Sequence, residues 1–237
     1  MTGPKLDVAR IRAITLDLDD TLWPVWPTIE RAEQALRQWL DTHAPGTAAL
    51  ARQGDTARRA RQQTLASFPD KTHDLGHMRR EAIRQLLAWA GDPTHLAEPA
   101  FEVFLAERQR VTLFDDALPA LTRLGARYPL VAISNGNADV RRVGLGAHFR
   151  AAINAAQIGI GKPDPRIFSA GARAAGVDEH AVLHIGDDAH LDGAGALAAG
   201  MQMAWINRRD EPWPPAVDGA PHAVTSDLLA LCRMLNV

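Results

Sequence analysis

Apolar residues along this chain follow two periods. Ile11 to Leu18 is a short, largely apolar run with a β-branched start, the pattern of a buried strand. Asp17 to Thr21 follows as a turn-rich loop, punctuated by Pro24 and Pro27. From about Thr28 to about Phe114 the apolar spacing changes to three and four. Ile29, Ala32, Leu36, Trp39 and Leu40 form one such series, Ile83, Leu86, Leu87 and Ala90 a second, and Phe101, Phe104 and Leu105 a third. That spacing lays an apolar stripe along one helix face. Gly46, Pro69, Gly91-Asp92-Pro93 and Glu98-Pro99 break the stretch into about four helices.

After Asp115 strands and helices alternate. The pattern predicts a helix over Ala117 to Ala126 and a buried strand over Tyr128 to Ser134. A weaker strand follows at Ala151 to Ala155, then a helix at Asp164 to Ala175 and a strand at Ala181 to Ile185. Leu191 to Ala199 reads as a small-residue helix and Met201 to Ile206 as a final strand. Asn207 to Pro221, rich in proline, reads as a surface loop. Alternation of this kind implies an α/β fold with a parallel sheet and helices on both faces. The helical block between the first strand and the rest is then an insertion. The expected division is a core of residues 1–23 and 115–237 with an α-helical insertion over 24–114.

Composition narrows the partners. Hydrophobic residues make up 46% of the 237 positions and charged residues 23%, which is ordinary for a globular chain. The 28 acidic and 26 basic residues give a net charge of −2, without the basic excess that a nucleic-acid or anionic-membrane partner favours. Cys232 is the lone cysteine, which excludes an intrachain disulfide and a thiolate zinc site. No apolar run approaches the roughly 20 residues of a membrane span, and the N-terminal stretch lacks the apolar region of a signal peptide. The expectation is a cytoplasmic protein, a monomer or weak homodimer. Only three of the 26 basic residues are lysines, so Lys162 in the middle of a motif is less a matter of chance.

In an open parallel sheet ligands bind beyond the carboxyl ends of the strands. Those ends carry Asp17-x-Asp19-x-Thr21, Ser134-Asn135-Gly136-Asn137, Gly161-Lys162-Pro163 and Gly186-Asp187-Asp188, with Asp192 a turn later. Several carboxylates in one small site repel each other, and a divalent cation relieves that. Hard oxygen ligands without His or Cys suit Mg²⁺. Ser134, the amides near Asn135, and Lys162 add donors and a positive charge, which together with the metal cradle a phosphoryl group.

These four motifs, in this order, resemble the signature of the haloacid dehalogenase-like hydrolase superfamily, over the span from about Arg12 to Ile206. The resemblance implies a Rossmann-like core and makes the insertion a helical cap. It also implies residue roles. Asp17 would be the nucleophile that forms an aspartyl-phosphate, and Asp19 the general acid and then base. Ser134 and Asn135 would hold the phosphoryl oxygens, and Lys162 would neutralise nucleophile and phosphate. Mg²⁺ would be held by Asp17, the Asp19 carbonyl and Asp187, with Asp188 and Asp192 supporting it or capping a helix. Thr21 would orient the catalytic loop. True dehalogenases of the superfamily lack the second Asp, so Asp19 favours a phosphatase acting on a small phosphorylated substrate. A phosphomutase and a non-catalytic phospholigand-binding protein of the same fold are the alternatives.

DLDDTLWP, PLVAISNGNADV, VGLGAHF and the stretch from Val182 to Ile206 also resemble a bacterial branch of phosphatases. These act on FMN and on the phosphorylated ribitylaminouracil intermediate of riboflavin synthesis. Trp23 and Trp26 lie where the insertion begins and either pack there or stack on a substrate ring. His73-Asp74-x-x-His77 has metal-ligand spacing but no third ligand and reads as an exposed helix face. His184, inside a strand, reads as a satisfied core residue.

Overall fold

The computed structural model describes residues 4–237. Residues 1–3, where the first core segment was expected to begin, lie outside the described residues. The chain divides into two compact units, Met1–Pro24 with Thr112–Val237, and Val25–Val111.

The first unit is built on six parallel strands in the order β3-β2-β1-β4-β5-β6. These are β1 (Ala13–Leu16), β2 (Leu130–Ser134), β3 (Ala151–Asn154), β4 (Val182–Gly186), β5 (Gln202–Ile206) and β6 (Ala223–Thr225). β1, β2, β4 and β5 are buried along their whole length. Strands covered on both faces carry continuous apolar runs rather than alternation, which is why those four were readable as strands. β6 was not expected. It has three residues, one of them exposed, and follows the proline-rich segment, so no apolar run announces it.

The second unit holds α1 (Val25–His43), α2 (Pro45–Ala51), α3 (Thr56–Ser67), α4 (Leu75–Ala90) and α5 (Ala97–Arg108). Ala32, Leu36, Leu40, Ile83, Leu87, Phe101 and Phe104 meet in its core, as their spacing predicts. Full burial of each large apolar side chain contributes about 1.5–3 kcal/mol. There are five helices rather than four. Gly46 does not end a helix but sits in the first turn of α2, behind Pro45 at its start, where proline is tolerated. The Asp92 carboxylate accepts from the Thr47 N–H and hydroxyl there, both at 2.7 Å, and leaves little space for a side chain at position 46. Asp74 caps α4 by accepting the His77 N–H at 2.8 Å, so the His-Asp-x-x-His spacing is a helix start.

The remaining helices belong to the first unit: α6 (Ala117–Arg127), α7 (Ala155–Ile158), α8 (Pro165–Ala175), α9 (Ala194–Ala198) and α10 (Leu228–Met234). Before α9 the chain makes one wide helical turn, Ala189–Gly193, where a regular helix was expected. Gly195 opens α9 against α8, and a Cβ there would lie 2.2 Å from the Phe168 ring. The absence of a side chain at this position permits that close packing. Among the described residues no helix is long and apolar enough to cross a membrane.

Candidate active site

The sheet order brings the four motifs together. β1 lies at the centre, flanked by β2 and β4, and Asp17 follows its last residue. The Asp17 N–H extends the ladder by donating to the Ile185 carbonyl at 2.9 Å. Ser134 ends β2 with its side chain buried, and its Oγ accepts the Gly136 N–H at 2.9 Å. The Asn135 side chain clamps the main chain of Lys162, accepting its N–H at 2.7 Å and donating to its carbonyl at 2.9 Å. Asn135 therefore acts on the site through Lys162 as far as its amide group is concerned.

Lys162 is buried, and its Nζ donates to Asp17 Oδ1 at 2.5 Å and to Asp192 Oδ1 at 2.6 Å. Asp192 Oδ1 also faces His184 Nε2 at 3.1 Å, and its Oδ2 accepts the Asp188 N–H at 3.2 Å. His184 and Thr15 are partners in the β1–β4 register, and the Thr15 hydroxyl meets His184 Nδ1 at 2.8 Å. A carboxylate only accepts, so Nε2 carries the proton and Nδ1 receives the Thr15 O–H. Gly186 makes room for this arrangement: a Cβ there would sit 2.3 Å from Asp192 Cγ.

Asp187 stands beside this group. Thr21 Oγ1 donates to its Oδ1 at 3.1 Å, and the Trp205 indole N–H donates to its carbonyl at 2.7 Å. Asp188 points elsewhere, accepting the N–H groups of His190 and Leu191 at 2.8 and 2.9 Å, so it caps the turn. The Asp19 side chain accepts the indole N–H of Trp23 at 2.8 Å. Trp23 is fully buried, which excludes ring stacking on a ligand in this conformation, whereas Trp26 is 70% exposed. Between them the loop bends through Asp20, whose φ of 57° is one that Asp adopts more readily than most residues.

Ligand oxygens of Asp17, Asp187 and Asp192 all lie within 4.8 Å of one another. Burial pushes the Asp17 carboxyl up, Lys162 pulls against that, and Asp192 and Asp187 add to the rise. Burial, then Asp192 and Asp20, raise Asp187 to about 7. Burial also works against ionised Asp192, but Lys162 and His184 hold it at about 2. Burial opposes the Lys162 ammonium too, and the Asp17 and Asp192 carboxylates outweigh it. Burial keeps His184 neutral by lowering its pKa. One lysine thus fails to balance three clustered carboxylates, and a divalent cation fits the deficit. Both Asp192 oxygens already have partners, so Asp17 and Asp187 are the carboxylates available to hold it. The donors are hard oxygens, which suit magnesium.

Residues 11–200 match the haloacid dehalogenase-like hydrolases. The chain belongs to that family. It is an enzyme of the hydrolase class with a Rossmann-like core. This haloacid dehalogenase-like hydrolase is 31% identical to the 5-amino-6-(5-phospho-D-ribitylamino)uracil phosphatase YigB of Escherichia coli over 234 residues, covering 96% of this chain and 98% of that protein. It is 32% identical to the phosphoserine phosphatase of Thermus thermophilus over 159 residues, 65% of this chain and 63% of that one. Such relatives support a phosphatase-type hydrolase. The crystal structure of a 2-haloacid dehalogenase from Pseudomonas syringae pv. Tomato superposes with a TM-score of 0.89 at 39% identity, covering 95% of this chain and 98% of that one. The putative hydrolase YfnB from Bacillus subtilis, bound to magnesium, shares the fold at a TM-score of 0.68 and 22% identity, over 96% and 100% of the two chains.

Three tertiary contacts of this hydrolase were not expected. Trp23 to Asp19, Trp205 to the Asp187 carbonyl, and His184 to Asp192 each join a residue that looked structural to one that looked chemical. The position of Trp23 four residues after Asp19, in a loop that must fold back, was the one available signal.

Proposed function

We propose that this chain hydrolyses a small-molecule phosphomonoester through an aspartyl-phosphate on Asp17, with Mg²⁺ as cofactor. FMN or the phosphorylated ribitylaminouracil is the favoured substrate. The observation that carries this reading is the buried Lys162 ammonium on Asp17 at the carboxyl end of the central strand, with Asp187 beside it.

Asp17 supplies the oxygen that attacks phosphorus. Lys162 holds that oxygen in place and offsets the negative charge of nucleophile and phosphate. Ser134 and the amides after it hold phosphoryl oxygens. Asp19 gives a proton to the departing oxygen, then takes one from the water that cleaves the aspartyl-phosphate. Asp17, the Asp19 carbonyl and Asp187 would hold the metal, which when bound adds positive charge beside the transferring group. Thr21 orients Asp187 for that task. The helical unit Val25–Val111 serves as the cap that excludes water and selects the substrate.

The 39% identical dehalogenase favours a second reading, displacement of halide from a haloacid. Asp19 argues against it, because a departing halide needs no proton. One assay separates the two. Phosphate release from FMN and a panel of sugar phosphates, with Mg²⁺ and again with EDTA, is measured beside chloride release from 2-chloropropionate. Metal-dependent phosphate release without chloride supports the phosphatase. Chloride without phosphate overturns it.

A further inference from the structure

The Lys162 ammonium is divided between two carboxylates, Asp17 Oδ1 at 2.5 Å and Asp192 Oδ1 at 2.6 Å. Asp192 Oδ1 is itself shared, because His184 Nε2 faces it at 3.1 Å. Behind that ring the contacts are tight. Thr15, His184 and Asp192 are fully buried. The Phe168 ring stands nearly perpendicular to the imidazole, with centroids 4.9 Å apart. The Thr15 methyl lies against α8, where a Cβ on Gly171 would come within 3.2 Å of it, and the Thr15 hydroxyl meets His184 Nδ1 at 2.8 Å. A buried hydroxyl proton needs an acceptor and a buried carboxylate needs donors. One neutral tautomer of His184, with its proton on Nε2, meets both needs. Such a ring donates to Asp192 without bringing a second positive charge to compete with Lys162. A buried carboxylate that loses one donor leans harder on the donor it keeps. Without the imidazole N–H, Asp192 draws the ammonium toward itself and away from the Asp17 oxygen.

We propose that His184, held in one tautomer by Thr15, is a positioning residue for Lys162: acting through Asp192, it keeps the ammonium shared between Asp192 and Asp17. The reaction it serves is the phosphatase reading above. His184 gives up no proton and forms no bond in either half-reaction. Its N–H sets where the ammonium stands when the Asp17 oxygen attacks phosphorus.

The test reads Lys162 directly. The chain has three lysines, and Lys5 and Lys71 are exposed, so in a sample carrying isotope-labelled lysine the slowly exchanging ammonium in the nitrogen NMR spectrum is that of buried Lys162. The variants are His184→Leu, which removes both nitrogens, His184→Gln, whose amide N–H replaces Nε2–H, and the isosteric Thr15→Val, which keeps the test open should His184→Leu fail to fold. In His184→Leu the Lys162 resonance is expected to shift and to exchange faster, with Lys5 and Lys71 unmoved, and kcat/KM on p-nitrophenyl phosphate with Mg²⁺ to fall about tenfold. His184→Gln restores the resonance and brings kcat/KM within about threefold of the unaltered chain. Thr15→Val alone costs about threefold and adds nothing to His184→Leu, because it acts only through the imidazole. An unmoved Lys162 resonance in His184→Leu, a loss that His184→Gln does not restore, or additive losses for Thr15 and His184 would each make these residues merely structural and overturn the proposal. If the unaltered chain hydrolyses the ester and any of those results is found, this inference fails alone. If the unaltered chain releases no phosphate from any ester, the phosphatase reading fails, and the role of His184 in the reaction fails with it.

Discussion

Lys162→Met removes the single ammonium from a buried group of three carboxylates while keeping most of the side-chain stem. The Lys162 and Asp17 side chains are 3% and 9% exposed, and that of Asp192 is fully buried. At the observed separations of 2.5 and 2.6 Å each bare attraction is roughly 6 kcal/mol at an effective dielectric of 20, an upper bound. Removing the lysine also removes its own desolvation cost, so the net loss expected is about 3–5 kcal/mol, the usual result of orphaning a buried charge. The loss depends on pH with a definite sign. In the unaltered chain Asp192, held at about 2, adds stability above the ordinary carboxyl range that is lost as pH falls toward 2. Without Lys162 its folded pKa moves above the unfolded value, like that of Asp17. Stability from such groups is complete below about 4 and declines as pH rises through their folded pKa. Urea unfolding in EDTA at pH 8 and pH 5 reads both quantities. The full loss is expected at pH 8 and a clearly smaller one at pH 5. A loss under about 1 kcal/mol at pH 8, or the same loss at both pH values, would refute the claim that Lys162 balances the carboxylates.

Four further outcomes are expected. Asp17→Asn abolishes phosphate release by at least about a thousandfold while the circular dichroism spectrum and unfolding midpoint stay close to those of the unaltered chain; near-normal turnover would remove Asp17 as nucleophile. Thr21→Val, which deletes the hydroxyl on Asp187, raises the Mg²⁺ concentration for half-maximal activity by about tenfold, and an unchanged metal titration would show that Asp187 orients without it. Mg²⁺ affinity rises about tenfold per pH unit below 7 and flattens above, because binding must displace the proton that Asp187, at about 7, otherwise keeps; isothermal titration at pH 6 and pH 8 checks this. Metal-free protein loses stability between pH 5 and pH 8 and recovers it on adding Mg²⁺, since Asp187 and Asp17 ionise at a cost that the cation offsets; an EDTA-treated sample with a flat pH profile would contradict this.

Much of this was legible before any coordinates, and for identifiable reasons. Val131, Ala132 and Ile133 read as a strand because a parallel strand buried on both faces needs apolar residues at every position. Asp17, Ser134, Lys162 and Asp187 could be brought together because strand ends share one edge of such a sheet. What stayed hidden depends on pairings between distant parts of the chain. His184 is the satisfied core residue its place in a strand suggests, but its partners, Thr15 and Asp192, became visible only with the register. Trp205 is an apolar strand residue whose one polar atom happens to reach a carbonyl on the neighbouring strand's exit. Asp188 and Asp192, four residues apart, look equivalent in sequence. The wide turn that starts at Ala189 sends one to cap it and the other into the lysine pair.

The central place of β1 has a consequence for how the chain is made. β1 ends at Leu16, but its partners β2 and β4 begin at Leu130 and Val182. A ribosome adding 5–20 residues per second finishes β4 roughly ten to thirty seconds after it has finished β1. Until β2 follows, β1 has no strand to pair with, and until β4 follows one of its two edges stays open, while the helical unit can complete its own core in between. β1 is therefore made well before the last strand that secures it, and the central strand of the sheet is completed late.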